Sequence, residues 1–165
     1  MLEPKSMSVK AKNDAARSVL FGLLGTSAIF VIAAMYSSML TGVLWIIALA
    51  FITATIYVYN RHVGSEYYYD IGVDGGRESL VVSMRVGKTI KTLARLDISS
   101  VTEVRRMTRK EFRAHKCERG VFKYPYFPTM FPTEVYLVSI RSDHEQLDLF
   151  LELDEDFAKA LTAEQ

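Results

Sequence analysis

Two long uncharged runs open the chain, and a region of two-residue alternation follows them. Residues 18–40 carry no charged side chain, and neither do residues 42–59. A helix needs about 20 apolar residues to cross a hydrocarbon layer of about 30 Å. The first run meets that length. The second is near the lower limit, and Tyr57 and Tyr59 extend it into the headgroup layer, with Trp45 suited to the opposite interface. Residues 36–42 between them hold small and polar side chains and Gly42, which predicts a tight turn between antiparallel helices. A single helix of about 40 residues would overshoot the bilayer by far. A cleaved signal sequence is the rival for the first run. Its length and the second run directly after it argue against that reading.

The positive charges give the hairpin a direction. Lys5, Lys10, Lys12 and Arg17 precede the first run, Arg61 follows the second, and the connecting turn carries none. The positive-inside bias then predicts a multi-pass protein of the plasma membrane with both termini cytoplasmic. Ser18, Gly22 and Thr26 recur at a spacing that lets helix backbones approach, with Gly25 beside them. They are candidates for packing on the second helix of the same chain, or for contact with a second copy. A transport pathway through the hairpin alone would need a charged group inside the spans, and there is none.

Beyond a linker at residues 60–66 the apolar period becomes two. Tyr67, Tyr69, Ile71 and Val73 alternate with polar or small residues, and so do Leu80, Val82, Met84 and Val86. Asp74-Gly75-Gly76 and Gly87-Lys88 are turn signals. A third strand at 89–94 and a fourth ending near Met107 follow. Val135 to Arg141 and Leu147 to Leu153 read as two more, joined by a turn at 142–145. Asp154 is an expected N-cap, with Glu155 and Asp156 in a first turn where the helix dipole favours acids. Phe157, Ala160 and Leu161 give that last helix its apolar face. Pro125, Pro128 and Pro132 exclude a continuous helix or a central strand across 108–133.

Composition adds little. Half of the 165 residues are hydrophobic and the formal charge is +1. The hydrophobic excess sits almost wholly in the two runs, which leaves a normally polar domain at 66–162 after an N-terminal segment at 1–17. Nucleic acid is not an expected partner without a basic excess. Cys117 is the only cysteine, so no intrachain disulfide can form.

Three features resemble the bacterial pleckstrin-homology-like (PH-like) domains. The first is the stretch Leu93 to Val104, LARLDISSVTEV, similar to a strand, D-I-x-x-V, strand segment. The second is the final strand running into LDEDFAKAL at 153–161. The third is the order, a two-helix membrane hairpin ahead of a first strand that begins Glu66-Tyr67-Tyr68-Tyr69, a layout found in two-span proteins of Gram-positive bacteria. The resemblance implies an α+β membrane protein: a transmembrane hairpin plus a small β-barrel or sandwich closed by a C-terminal helix. It also implies a non-catalytic module that binds a protein partner, the inner-leaflet surface, or both.

No catalytic, cofactor or metal constellation emerges. His62, His115 and His144 are scattered, and His115 with Cys117 falls short of the ligand count a metal site needs. Gly72, Gly75 and Gly76 lie between strands, whereas a phosphate loop opens a helix. Two surface candidates are left. Lys88 and Lys91, with Arg95, and Arg105, Arg106, Arg109 and Lys110, with Arg113, Lys116, Arg119 and Lys123, form a basic set suited to anionic headgroups. Tyr124, Tyr126, Phe127 and Phe131 lie in an aromatic and proline run suited to a protein partner or the bilayer interface. The expected partners are membrane lipids and a protein, either another chain or a second copy. A different class of function is an accessory subunit of a transport or envelope-assembly complex, with the hairpin as its working part.

Overall fold

A computed structural model describes residues 5–10, 15–74, 77–117, 120–142 and 145–162. Gly75, Gly76, Lys12, Arg119, Asp143 and His144 lie outside the described residues. The hairpin is formed by α1 (Ala15–Tyr36) and α2 (Thr41–Val58). Both are long and apolar enough to cross a membrane. Few of their residues are buried, and Phe21, Leu24, Ile46, Leu49 and Ile56 face outward. A core helix of a soluble domain is instead mostly buried. The predicted turn is present, with the chain breaking at residues 37–40, where Leu40 N donates to Ser37 Oγ at 3.3 Å.

The two helices meet along small residues. Ala16, Ser27 and Ala34 of α1 and Ala48 and Thr55 of α2 are buried, and Phe30 stacks on Phe51 at 5.7 Å. This corrects the intrachain alternative for Ser18 and Gly22, that they pack on the second helix. Both are exposed, and a Cβ on Gly22 or Gly25 would meet nothing within 4 Å. At about 100° per residue, Ser18 stands about 180° from Ser27 around the helix, so the two occupy opposite faces. Thr26 is half-buried and donates its hydroxyl to Gly22 O at 2.9 Å.

The remaining chain forms two four-stranded sheets. Sheet 1 runs β1 (Lys5–Val9), β2 (Ser65–Asp74), β3 (Arg77–Val86) and β4 (Thr89–Asp97), in that order. Its first strand precedes the hairpin in sequence and its second follows it, paired in the register Val9 to Tyr67. Gly87, at φ +61°, supplies the left-handed turn between β3 and β4. The Asp97 side chain then accepts from Ser99 N at 3.0 Å, and a 3₁₀ turn (Ile98–Ser100) passes the chain to β5 (Val101–Thr108).

Sheet 2 has the order β5, β7 (Glu134–Ser142), β8 (Glu145–Leu151) and β6 (Phe122–Tyr126). β6 lies parallel to β8 at the sheet edge, where Pro125 is tolerated because one side of the strand has no ladder to complete. The barrel alternative is therefore corrected: β1 and β4 end one sheet, β5 and β6 end the other, and among the described residues no closed barrel forms.

Period-two patterning sorts the core. Tyr67, Tyr69, Leu80 and Val82 of sheet 1 pack with Val138, Ile140, Leu149 and Leu151 of sheet 2. Phe157 and Leu161 of α4 (Glu155–Thr162) complete this layer. Asp154 caps α4 as expected, accepting from Phe157 N at 2.6 Å. The opposite face of sheet 2 is also covered. Val135, Leu137 and Phe150 pack there with Met107, Phe127 and Phe112. Phe112 belongs to α3 (Arg109–Lys116), a short helix at the start of the stretch where the prolines exclude a continuous one. A capping box starts it: Glu111 N bonds Thr108 Oγ1, and the Glu111 carboxylate accepts from Thr108 N at 2.7 Å.

Candidate functional site

The base of the hairpin is tied into the aromatic segment. After α2 the chain widens into one π-helical turn (Tyr59–Val63). Gly64 closes it, donating its N–H to Tyr59 O at 2.7 Å, and a Cβ there would stand 3.2 Å from the Tyr59 ring. Two side chains of this turn reach across to residues 125–128. Arg61 Nη2 donates to Pro125 O at 2.9 Å, and His62 Nδ1 donates to Pro128 O at 2.7 Å. From β2, the Tyr69 hydroxyl donates to Tyr126 O at 2.6 Å. Carbonyls in and just beyond a proline-broken edge strand are thereby satisfied. Burial raises the pKa of the Tyr69 phenol strongly, and that of Tyr67 by the same cause with Arg61 opposing it.

The aromatic candidates separate by environment. Tyr124 is 40% exposed and stacks on the half-buried Tyr126 at 5.8 Å. Phe131 is 43% exposed, with the Arg109 guanidinium 5.6 Å from its ring centre. Phe127 is corrected: it is only 6% exposed and meets Phe112 edge-on at 5.8 Å. Pro128, Thr129 and Pro132 are buried with it, and Thr129 Oγ1 donates to the buried Glu152 at 2.8 Å. Part of the run covers sheet 2, and only part of it is surface.

The basic candidates divide between the sheets. Lys88 and Lys91 are exposed at the β3–β4 turn and on β4. Arg105 and Arg106 lie on β5. Arg105 pairs with Glu103 at 3.3 Å, and Arg106 pairs with Glu134 and, at 3.4 Å, with Glu155. Those acids offset much of the charge on β5. Arg109 and Lys110 are exposed on the first turn of α3.

His115 has a structural role. Its Nε2 lies 2.6 Å from the carboxylate of Asp148, which is fully buried and accepts from Ser139 Oγ at 2.8 Å. Lys123 Nζ donates to His115 O at 2.6 Å. Serine, histidine and aspartate meet here, but the carboxylate stands between the other two. The hydroxyl thus has no imidazole to take its proton, and the group is not arranged for nucleophilic attack. Among the described residues, no three or more His, Cys, Asp or Glu side chains group to hold a metal.

In the sequence Arg61 and His62 are visible only as a basic pair at the end of an apolar run, and their role as ties depends on carbonyls more than 60 residues later. Lys10, Arg17 and Arg85, far apart in sequence, line one cavity. No protein-family model matches this chain, and no curated protein is detectably similar to it in sequence.

Proposed function

We propose that the protein is a non-catalytic, membrane-anchored module whose PH-like domain rests on the inner leaflet. The observation that carries this reading is the tie from Arg61 and His62 to Pro125 and Pro128. It keeps the aromatic segment beside the point where the second apolar run ends. Exposed tyrosine and phenylalanine beside arginine suit the headgroup layer, where amphipathic rings and cations both gain. The pairing of β1 with β2 supports a hairpin with both ends on one side. The positive-inside bias makes that side the cytoplasm.

The test uses single-tryptophan chains with Trp45→Phe as background, carrying Tyr124→Trp or Phe131→Trp, in vesicles of brominated lipid. Strong quenching at both positions is the expected result. Tryptophans that stay bright would make the aromatic segment a surface for a protein partner instead. Cys117 is exposed, so a maleimide that cannot cross membranes should label it in inside-out vesicles only.

A second reading has its own observation. Ser18 and Gly22 face away from α2, with open space around Gly22 and Gly25. That favours an accessory subunit whose hairpin packs against another helix. Gly22→Leu would then abolish function while truncation of the β domain would not.

A further inference from the structure

A cavity of about 360 Å³ opens at the end of sheet 1 nearest the hairpin. Three parts of the chain line it. The first turn of α1 gives Ala16 and Arg17, and the linker gives residues 62–65. The third part is a row across β1, β2 and β3. The register that sets Val9 against Tyr67 brings Lys10, just past β1, to Glu66, with Lys10 Nζ 3.7 Å from its carboxylate. Glu66 in turn faces Arg85. Arg85 is steered by its Nε, which donates to Gly87 O at 3.1 Å, and by its Nη1, 3.4 Å from the Tyr68 hydroxyl.

Among the described residues, the lining sets three permanent cations, Lys10, Arg17 and Arg85, beside one carboxylate, Glu66. Two guanidinium forks and an ammonium together suit the oxygens of a phosphate. The volume is at the small end of the range for ligand sites, about 300–1,000 Å³, and fits a headgroup better than a large cofactor. None of Lys88, Lys91, Arg105, Arg106, Arg109 and Lys110 lines it.

Depth along the hairpin favours one source of phosphate. Arg17 stands just before the first uncharged run and His62 just after the second. The exposed apolar side of α1 begins at Phe21 and Leu24, one turn beyond Arg17. Acyl chains of a bound lipid would lie there, whereas a soluble phosphate ester would leave that surface unused. We propose that this cavity binds phosphate and takes the headgroup of an anionic phospholipid. The lipid part rests on the membrane-anchored reading above.

The test uses the full chain, purified in an uncharged detergent and titrated with phosphatidylglycerol or phosphatidylcholine, with bound lipid counted by native mass spectrometry. The expected result is one phosphatidylglycerol retained in preference to phosphatidylcholine. Arg17→Gln and Arg85→Gln should each weaken it about five-fold. Glu66→Gln should strengthen it by a similar factor, a gain that misfolding cannot produce. Lys88→Gln with Lys91→Gln should leave it unchanged. Inorganic phosphate that displaces the lipid from the wild-type chain supports the shared site. Inorganic phosphate that binds while the lipid does not overturns the lipid assignment. Equal lipid retention by wild type, Arg17→Gln, Arg85→Gln and Glu66→Gln overturns the site itself. Carbonate extraction of cell membranes tests the anchored reading separately, since release of the chain would sink that reading and leave the phosphate titration still informative.

Discussion

Arg61 donates from Nη2 to the carbonyl of Pro125 at 2.9 Å, joining the foot of the second apolar helix to a strand 64 residues later. A charge-assisted bond of this kind contributes about 1.5–3 kcal/mol. Arg61→Ala should lower stability by about that much and raise amide exchange in residues 122–128, read by hydrogen exchange on the detergent-solubilised chain. Unchanged exchange there would mean that the tie does not hold the segment.

Removing the imidazole of His115 takes from the fully buried Asp148 one of the two polar side chains that, among the described residues, hydrogen-bond it, the other being Ser139. An uncompensated buried charge costs about 3–5 kcal/mol. His115→Ala should cost that much in denaturant unfolding. His115→Ala combined with Asp148→Asn should cost clearly less than the sum of the two single changes. Strict additivity would deny the coupling.

Phe127 and Phe131 are four residues apart and should respond very differently. Phe127→Ala opens a cavity beneath Phe112 and Phe150 and should cost about 3–5 kcal/mol. Phe131→Ala loses an exposed stack on Arg109 and should cost about 0.5–1 kcal/mol. Thermal unfolding of the two variants decides between them.

The hairpin makes a paired prediction. Gly22→Leu meets open space and should leave the folded hairpin intact. Ala48→Leu forces a larger side chain into a buried contact and should destabilise it by about 1–3 kcal/mol. Equal effects in circular dichroism melts would mean that the buried seam lies elsewhere.

Glu111 gives a pH dependence. The Thr108 backbone N–H, then the Thr108 hydroxyl, hold its carboxyl below the ordinary value of 4.5. A lowered carboxylate adds stability that is complete above its unfolded pKa and is lost as pH falls through the lower folded value. Amide exchange at the start of α3 should therefore quicken below about pH 4.5, beyond the intrinsic pH effect. Glu111→Gln should flatten that dependence.

Period and punctuation made much of the fold legible. The uncharged runs gave the hairpin, Gly87-Lys88 the turn, alternation the strands around Tyr67, Leu80, Val138 and Leu149, and Asp154 the last cap. Other parts depended on distant partners. Lys5–Val9 is too short and polar to announce a strand, and it becomes one only because β2 returns beside it. Thr108-x-x-Glu111 was a readable capping box, hidden by the prolines downstream. The site was less legible than the fold. Asp148 alternates with leucines in its strand as a solvent-facing residue would, but α3 covers that face through His115. Lys10, Arg17 and Arg85 come together only through register.

The interleaving of sheet 1 with the hairpin has a consequence for biogenesis. The ribosome makes β1 first, yet its neighbour β2 exists only after both apolar helices have been synthesised. For a hairpin that crosses a bilayer, insertion with a single crossing would strand β1 and β2 on opposite faces, each with an unpaired edge open to aggregation. Closure of this one ladder thus reports that threading was completed, and a chain inserted wrongly is left without a finished domain for the cell's proteases to spare.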